Sequence, residues 1–332
     1  MSKGILIYSE VTRENYLHTV TFELANKARE LAQKLSDCPI MALVLVKPDL
    51  IDEFKEVFRV NGFDKVFYVA DERFRTYTTD IFAPVAIKCV RDIDPEIMLI
   101  GATNQGRDLA PRISSALHTG LTADCTGLDI NESGKLAATR PTFGGQLMAT
   151  ILSKKFPQMA TVRPKVFKPM KEFVNVDTNF VRMGYDFCGY KSKIEVLEFT
   201  KKITSEINNL DCAEVIVAGG RGMQSAEGFK LLKELADTLG GVVGASRLAV
   251  EMGLADKNCQ VGQTGKTVIP KLYIACGISG ALQHTVGMNN AERVIAINKD
   301  RNAPIFEIAD YGMVGDAFEI IPKLIQSIKQ HT

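Results

Sequence analysis

Short apolar runs alternate with amphipathic helical stretches along this chain, and few other patterns restrict a fold so tightly. Gly4–Val11 reads as a buried parallel strand, after which Leu17, Val20, Leu24, Ala28, Leu31 and Leu35 recur at helical spacing on one face. Ile40–Val46 is strand-like, Leu50–Arg59 helix-like and Lys65–Ala70 a third strand. A helix around Asp80–Arg91, closed by Asp94-Pro95, leads into a fourth strand, Glu96–Gly101. Such alternation predicts a doubly wound α/β sheet. At 332 residues the chain is long for one core, so two domains are expected. Ligands of such sheets sit at the carboxyl ends of the strands, which makes Ala102–Arg107 a place for a site or an interface. Arg107 reads equally as a plain surface residue.

Between Leu121 and Phe167 the helical periodicity fades. The β-prone runs Lys135–Arg140, Gln146–Ser153 and Met159–Arg163, with turns at Glu132-Ser133-Gly134 and Phe143-Gly144-Gly145, predict an antiparallel extension of the sheet. Arg140 and Arg163 each precede a proline, which places them in extended backbone, and structural or interface ion pairing is expected of both. Residues 168–212 read as the crossing between domains, with one strand candidate at Ile194–Phe199 and Asn208-Asn209 before a new strand. The boundary is expected near 204, giving domains of 1–204 and 205–332.

The second domain opens with Glu214–Ala218 as a strand, then Gly219-Gly220-Arg221-Gly222-Met223, then a helix with Phe229, Leu232, Leu235, Ala236 and Leu239 on its core face. Gly220-x-Gly222-x-x-Ser225 is a near miss to the dinucleotide fingerprint. The acidic residue expected about 20 positions later is replaced by Leu239-Gly240-Gly241-Val242, against a standard NAD dehydrogenase. Further glycine-containing turns follow: Gly244-Ala245-Ser246-Arg247, Gln260–Lys266, Cys276–His284 and Ala309-Asp310-Tyr311-Gly312. Turns of this kind beside apolar strands leave backbone N–H groups and small polar side chains free, as an extended anionic nucleotide cofactor requires. Strands at Leu272–Cys276 and Val294–Ile297 and a helix after Gly280 complete a second parallel sheet, and Pro322 suits the first turn of a closing helix.

Several function classes are disfavoured. Lys+Arg 40 against Asp+Glu 39 leaves a net charge of +1 with no basic stripe, so nucleic-acid binding has no electrostatic support. No apolar run approaches the ~20 residues of a membrane helix. Met1-Ser2-Lys3 runs straight into the first strand, leaving no room for a signal or transit peptide, and a cytoplasmic protein is expected. The seven cysteines are scattered without a Cys-x-x-Cys pair and the four histidines are dispersed, so no metal site and no disulfide framework is expected.

The motifs Gly244–Arg247, Gln260–Lys266, Leu272–His284 and Ala296–Asp316 together resemble the alpha subunit of electron-transfer flavoproteins, with Thr139-Arg140-Pro141 through Met148-Ala149-Thr150 as a weaker echo. The resemblance implies a heterodimer with a beta subunit, packed on the N-terminal domain, and FAD in a Rossmann-like C-terminal domain. It implies a one-electron carrier between flavin dehydrogenases, such as acyl-CoA dehydrogenases, and an acceptor such as ferredoxin or flavodoxin. Some members bifurcate electrons from NADH. FAD contacts are implied for Arg221, Ser246, Arg247, Val261, Gly262, Gln263, Thr264, Ser279, Gly280, Ala281, Leu282, Gln283, His284, Asn298 and Asp316. The alternative is a flavin- or NAD-linked oxidoreductase with its own substrate pocket; a third reading is a scaffold that binds a nucleotide for stability alone.

A reduced flavin gains negative charge over one edge of its ring, which a fixed cation or donor there stabilises. Arg247 cannot deprotonate and offers a planar guanidinium. At ~4 Å and an effective dielectric of about 20 one charge contributes about 4 kcal/mol, on the order of 170 mV for one electron. His284, one helical turn after Gly277–Gly280, reaches the same edge as a donor, and Thr264 and Gln263 suit N5 or the ribityl chain. Competing structural roles are pairing of Arg247 with Glu251 at i,i+4 and helix capping by Asp316.

Overall fold

The computed structural model describes residues 3–142, 147–170, 174, 176–188, 192–198, 210 and 213–331. They form two compact units, residues up to 198 and residues from 210. The expected boundary near 204, the 143–145 turn and Asn208-Asn209 lie outside the described residues.

The first unit runs β1 (Ile5–Tyr8), α1 (Val20–Gln33), β2 (Ile40–Val46), α2 (Ile51–Val60), β3 (Lys65–Ala70), α3 (Thr79–Ile93), β4 (Ile97–Gly101) and α4 (Asn104–Ala116). It continues through β5 (Leu121–Cys125), β6 (Gly127–Ile130), β7 (Leu136–Thr142), β8 (Leu147–Leu152), β9 (Gln158–Val162) and β10 (Asn179–Arg182). Seven strands make one parallel sheet in the order β10-β3-β2-β1-β4-β9-β5. Its central strands are apolar throughout because both faces are covered. Ile5 and Ile7 pack with α1 and α2, while Leu6 and Tyr8 pack with α3 and α4. Each such fully buried aliphatic side chain contributes ~1.5–3 kcal/mol.

The antiparallel element is a separate three-stranded sheet, β6-β7-β8. The run around Met159 belongs instead to the parallel sheet, between β4 and β5, because β9 is buried on both faces. A further strand expectation, Ile194–Phe199, is corrected. Residues 194–198 form no strand and are exposed, Leu197 to 87%, with no sheet edge to pair them. The strand of that region is β10, whose Phe180 packs on the core beside β3. Arg107 donates to Asp124 at 3.0 Å. Arg140 and Arg163 make no ion pair among the described residues, and Nε of each is buried without a partner.

The second unit runs β11 (Val215–Gly219), α5 (Ala226–Thr238), β12 (Val242–Ala245), α6 (Arg247–Glu251), β13 (Leu272–Cys276), α7 (Leu282–Thr285), β14 (Arg293–Asn298), β15 (Tyr311–Val314) and α8 (Ala317–His331). Its five strands are parallel in the order β12-β11-β13-β14-β15 over one apolar core. The fold class is therefore two doubly wound α/β units with an antiparallel addition, as the alternation predicts. Pro322 stands inside α8 rather than in its first turn. The helix starts earlier because the Asp316 carboxylate accepts the Phe318 N–H at 2.9 Å, and the proline removes one later backbone bond.

Glu23 on α1 is the most deeply placed acid of the first unit, 4% exposed. Its Oε2 accepts the Lys165 N–H at 2.6 Å. Burial pushes its pKa up to about 7, with the Lys165 N–H and ammonium pulling the other way. A carboxyl whose folded pKa lies above its ordinary value adds stability that is complete below about pH 4.5 and is lost as pH rises through 7. Glu23→Gln, which keeps the acceptor, should match the wild type at pH 4.5 and be more stable at pH 8.5, by on the order of 1–3 kcal/mol. Urea unfolding at the two pH values checks this; equal stability at pH 8.5 would sink it.

Candidate functional site

In the second unit the chain leaves β11 for β12 on one side and returns to β13 on the other, so the sheet order reverses between β11 and β13. Loops at the carboxyl ends of strands diverge at such a point and leave a crevice. Here the loops after β11, β12, β13 and β14 enclose a cleft of about 630 Å³. Its base is a backbone-to-backbone contact. The Gly220 N–H donates to the Cys276 carbonyl at 2.9 Å and the Gly222 N–H to the Gly277 carbonyl at 3.0 Å. A Cβ on Gly222 would stand 2.8 Å from Gly277 Cα, and one on Gly220 would strike the Gly277 carbonyl. The near-miss fingerprint thus joins two loops. Its glycine N–H groups are used within the protein, and α5 begins only after its N-cap Ser225, whose hydroxyl accepts the Gly228 N–H at 3.3 Å.

All the expected contact residues line the cleft except Gly280, Leu282 and Asp316. Asp316 caps α8 and pairs with Lys299 at 2.8 Å. Gly280 has φ +87 and lies against the Ile305 backbone, where no side chain fits. Its neighbours supply the feature an anion needs: the N–H groups of Ser279, Gly280 and Ala281 meet no backbone acceptor among the described residues. Asn298 spans two loops, donating to the Ile278 carbonyl at 2.8 Å and accepting the Asp300 N–H at 3.0 Å.

Three polar groups define the chemistry. The Thr264 hydroxyl accepts from the Gln260 amide at 2.9 Å, so its own proton remains to be donated. Gln260, 6% exposed, lines the cleft and was not among the expected residues. It stands inside the Gln260–Lys266 run, but only its burial marks it out. Arg247 is exposed at the start of α6 and its Nε pairs with Glu251 at 2.7 Å, as the i,i+4 spacing allows. The pair lies beside the cleft and reduces the field that Arg247 projects. Arg221, also lining it, makes no ion pair among the described residues.

His284 is 7% exposed and its Nε2 lies 2.9 Å from the Tyr273 hydroxyl. Burial pushes its pKa down to about 4, with the Val261 carbonyl working the other way, so the imidazole is neutral at pH 7. It offers a hydrogen bond and no charge. Nδ1 is shielded from solvent and has no hydrogen-bond partner among the described residues.

Among the described residues no group of three or more His, Cys, Asp or Glu is placed to hold a metal ion, and no helix is long and apolar enough to cross a membrane. Gly220→Ala should cost roughly 1–3 kcal/mol by overpacking and widen the crevice. Thermal unfolding checks the first effect, and loss of ligand retention at a temperature where the variant is folded checks the second. A variant of wild-type stability and retention would refute the role given to this contact.

Comparison with known proteins accords with this cleft. Residues 5–179 match the electron transfer flavoprotein domain and residues 209–289 the electron transfer flavoprotein FAD-binding domain. An electron transfer flavoprotein subunit alpha of Thermoanaerobacterium thermosaccharolyticum is 47% identical, over 99% of this chain and 98% of its own length. That of Clostridium acetobutylicum is 45% identical over 98% and 97%. The acryloyl-CoA reductase electron transfer subunit beta of Anaerotignum propionicum is 42% identical over 99% and 96%. With two family matches at their expected places, and near-full-length relatives at this identity, the chain belongs to the electron transfer flavoprotein family as an alpha-type, flavin-binding subunit.

Proposed function

We propose that the cleft holds FAD and that the chain works as a one-electron carrier in a heterodimer with an electron-transfer flavoprotein beta subunit. One observation carries the cofactor assignment: a row of unspent N–H groups at Ser279–Ala281 shares a cleft with Arg221, Arg247 and a buried imidazole whose Nδ1 is unpartnered. Bound FAD supplies a centre that takes up and gives back one electron at a time. The N–H row suits its pyrophosphate, and Gly262 and Gly280 let the surrounding loops close on the Gln283 and Ile305 backbones. Gln263 and the donated proton of Thr264 suit the ribityl chain and ring, and Ser246, Val261, Gln283 and Asn298 complete the lining. Arg247 and His284 stand in for solvent where the ring gains negative charge, one as a screened cation and the other as a neutral donor.

The carrier has no substrate bond to break, and among the described residues no nucleophile–base pair of the hydrolase kind lines the cleft. The name of the Anaerotignum relative connects that protein with an acryloyl-CoA reductase, which supports a flavin dehydrogenase of acyl-CoA thioesters as this chain's donor or acceptor. Ferredoxin or flavodoxin is the corresponding small carrier, and NADH-driven bifurcation would need a second flavin in the beta subunit. The first unit supports docking of that subunit: β8 exposes Leu147, Met148, Ile151 and Leu152 along a sheet edge.

Co-purification with the beta subunit should give a yellow heterodimer with FAD held by this chain, and counting flavins separates a one-flavin carrier from a two-flavin bifurcating form. A colourless heterodimer that stays so in excess FAD would end the proposal. Arg247→Ala should lower the flavin potential by less than the roughly 170 mV of an unscreened charge, because Glu251 and solvent already weaken it. Glu251→Gln should raise it. Redox titration showing both variants at the wild-type value would remove the tuning role.

A further inference from the structure

The first unit has a switch point of its own. Its sheet order reverses between β1 and β4, and the loops after β1, β2, β3 and β4 enclose a second cleft, of about 470 Å³, at the carboxyl ends of those strands. The run Ala102–Arg107, which the sequence marks as a place for a site, supplies Asn104 and Gln105 to its wall. The flavin reading leaves this cleft unused.

Its donors face the space unspent. His18 lines the cleft, and its Nδ1 accepts the Val20 N–H at 3.2 Å. A backbone N–H only donates, so the proton of the neutral ring lies on Nε2. Burial lowers the His18 pKa and keeps the ring neutral. Nε2 meets no acceptor among the described residues and, unlike His284 Nδ1, is not shielded from solvent. Lys47, just after β2, has a side chain only 15% exposed, whereas Asp49, its partner at 2.9 Å, is 65% exposed and lies outside the lining. Water screens that carboxylate more than the ammonium, which leaves net positive potential on the cleft side. Arg75 adds a guanidinium, weakened by Glu72 at 3.0 Å. The N–H groups of Asn104 and Gln105 meet no backbone acceptor among the described residues.

The two acids of the wall are committed. Asp108 accepts from the Tyr77 hydroxyl at 3.0 Å and from the Thr79 hydroxyl, and pairs with Arg112 at 3.5 Å. Glu10 accepts from the Thr103 hydroxyl, and burial pushes its pKa up. Beneath these groups Leu50, Phe74 and Phe82 make an apolar floor. The loop that carries His18 is formed in advance: the Thr12 N–H donates to the Tyr16 carbonyl at 2.8 Å and the His18 N–H to the Glu10 carbonyl at 2.9 Å.

We infer that this cleft binds a small organic phosphate, its anionic head at His18 Nε2, Lys47 and the first turn of α4, and its apolar or planar body on the floor. An anion with several acceptor oxygens uses all three donors at once, whereas a neutral ligand would dehydrate the Lys47 ammonium without pairing it. The site lies wholly within the first unit. It goes beyond the flavin reading and stands without it.

The test uses the FAD-loaded heterodimer, so that the other cleft is filled, and titrates phenyl phosphate by calorimetry at neutral pH. Saturable binding is expected, about tenfold tighter than that of inorganic phosphate because the ring covers the apolar floor. Benzoate, with one charge on two oxygens, should bind more weakly than phenyl phosphate. Lys47→Met keeps the stem and removes the charge, and should weaken phenyl phosphate about tenfold or more. His18→Asn retains an oxygen for the Val20 N–H but no Nε2 proton, and should weaken it roughly two- to tenfold. Lys233→Met, at an exposed lysine of the second unit, should leave binding unchanged. Circular dichroism checks that each variant is folded. Absence of saturable binding up to about 10 mM would overturn the inference. So would equal affinity for phenyl and inorganic phosphate, tighter binding of benzoate, or wild-type affinity in both first-unit variants. Should the heterodimer come out without flavin, the flavin reading fails alone, because the comparison of Lys47→Met with the wild type still decides this site.

Discussion

Where β11 and β13 end, two loops meet backbone to backbone, and the architecture of the second unit's cleft depends on that contact. Gly220 and Gly222 each donate an N–H across to the Cys276–Gly277 segment, at a distance that leaves no room for a Cβ on either side. Parallel strands at a topological switch point send their chains apart, and the crevice between would be shallow and mobile if nothing tied its floor. The glycine contact ties it. Arg221 stands in one of the joined loops and Ser279–Ala281 follow the other, so one hydrogen-bonded joint ties the segment that carries a cation to the segment whose N–H groups are free of backbone acceptors among the described residues. The cost of the joint is that these glycines no longer offer their own N–H groups to a phosphate.

Within the cleft, burial and pairing decide what each polar residue contributes, more than residue type does. Histidine beside a redox centre suggests a positive charge, yet desolvation makes His284 a neutral donor. Arginine suggests a full charge, yet Arg247 shares its charge with Glu251 in an exposed position where water screens both. Thr264 illustrates the reverse, since accepting from Gln260 turns an ambivalent hydroxyl into a directed donor. The electrostatic character that results is moderate: Arg221 and Arg247 share the cleft lining with Glu251 and Asp300.

The first unit was legible wherever both faces of a strand are buried. β2 coincides with the apolar run Ile40–Val46, because a strand covered by helices on each side must be apolar at every position, and β3 matches Lys65–Ala70 although only its Val66 and Val69 are buried. Legibility failed at the margins. The 194–198 stretch carries Ile194, Val196 and Leu197 among two glutamates, enough to read as a strand, but it pairs with no strand among the described residues. The four residues of β10 carry too little pattern to be seen, and become a strand only because β3 offers them a partner. The same holds for β9: its composition marks a strand, but a parallel place between β4 and β5 is a tertiary outcome.

From residue order alone came the two doubly wound units and the glycine turns at strand ends, since local periodicity and turn chemistry are written in adjacent positions, whereas the contact residues came from the family resemblance, and all of those but Gly280, Leu282 and Asp316 line the cleft. Tertiary structure alone decided that Asp316 caps a helix, that Gln260 orients Thr264, and that Tyr273, eleven positions before His284, is its hydrogen-bond partner. Those relations depend on which strand lies beside which and on how far water is excluded. Neither quantity is a property of neighbouring letters.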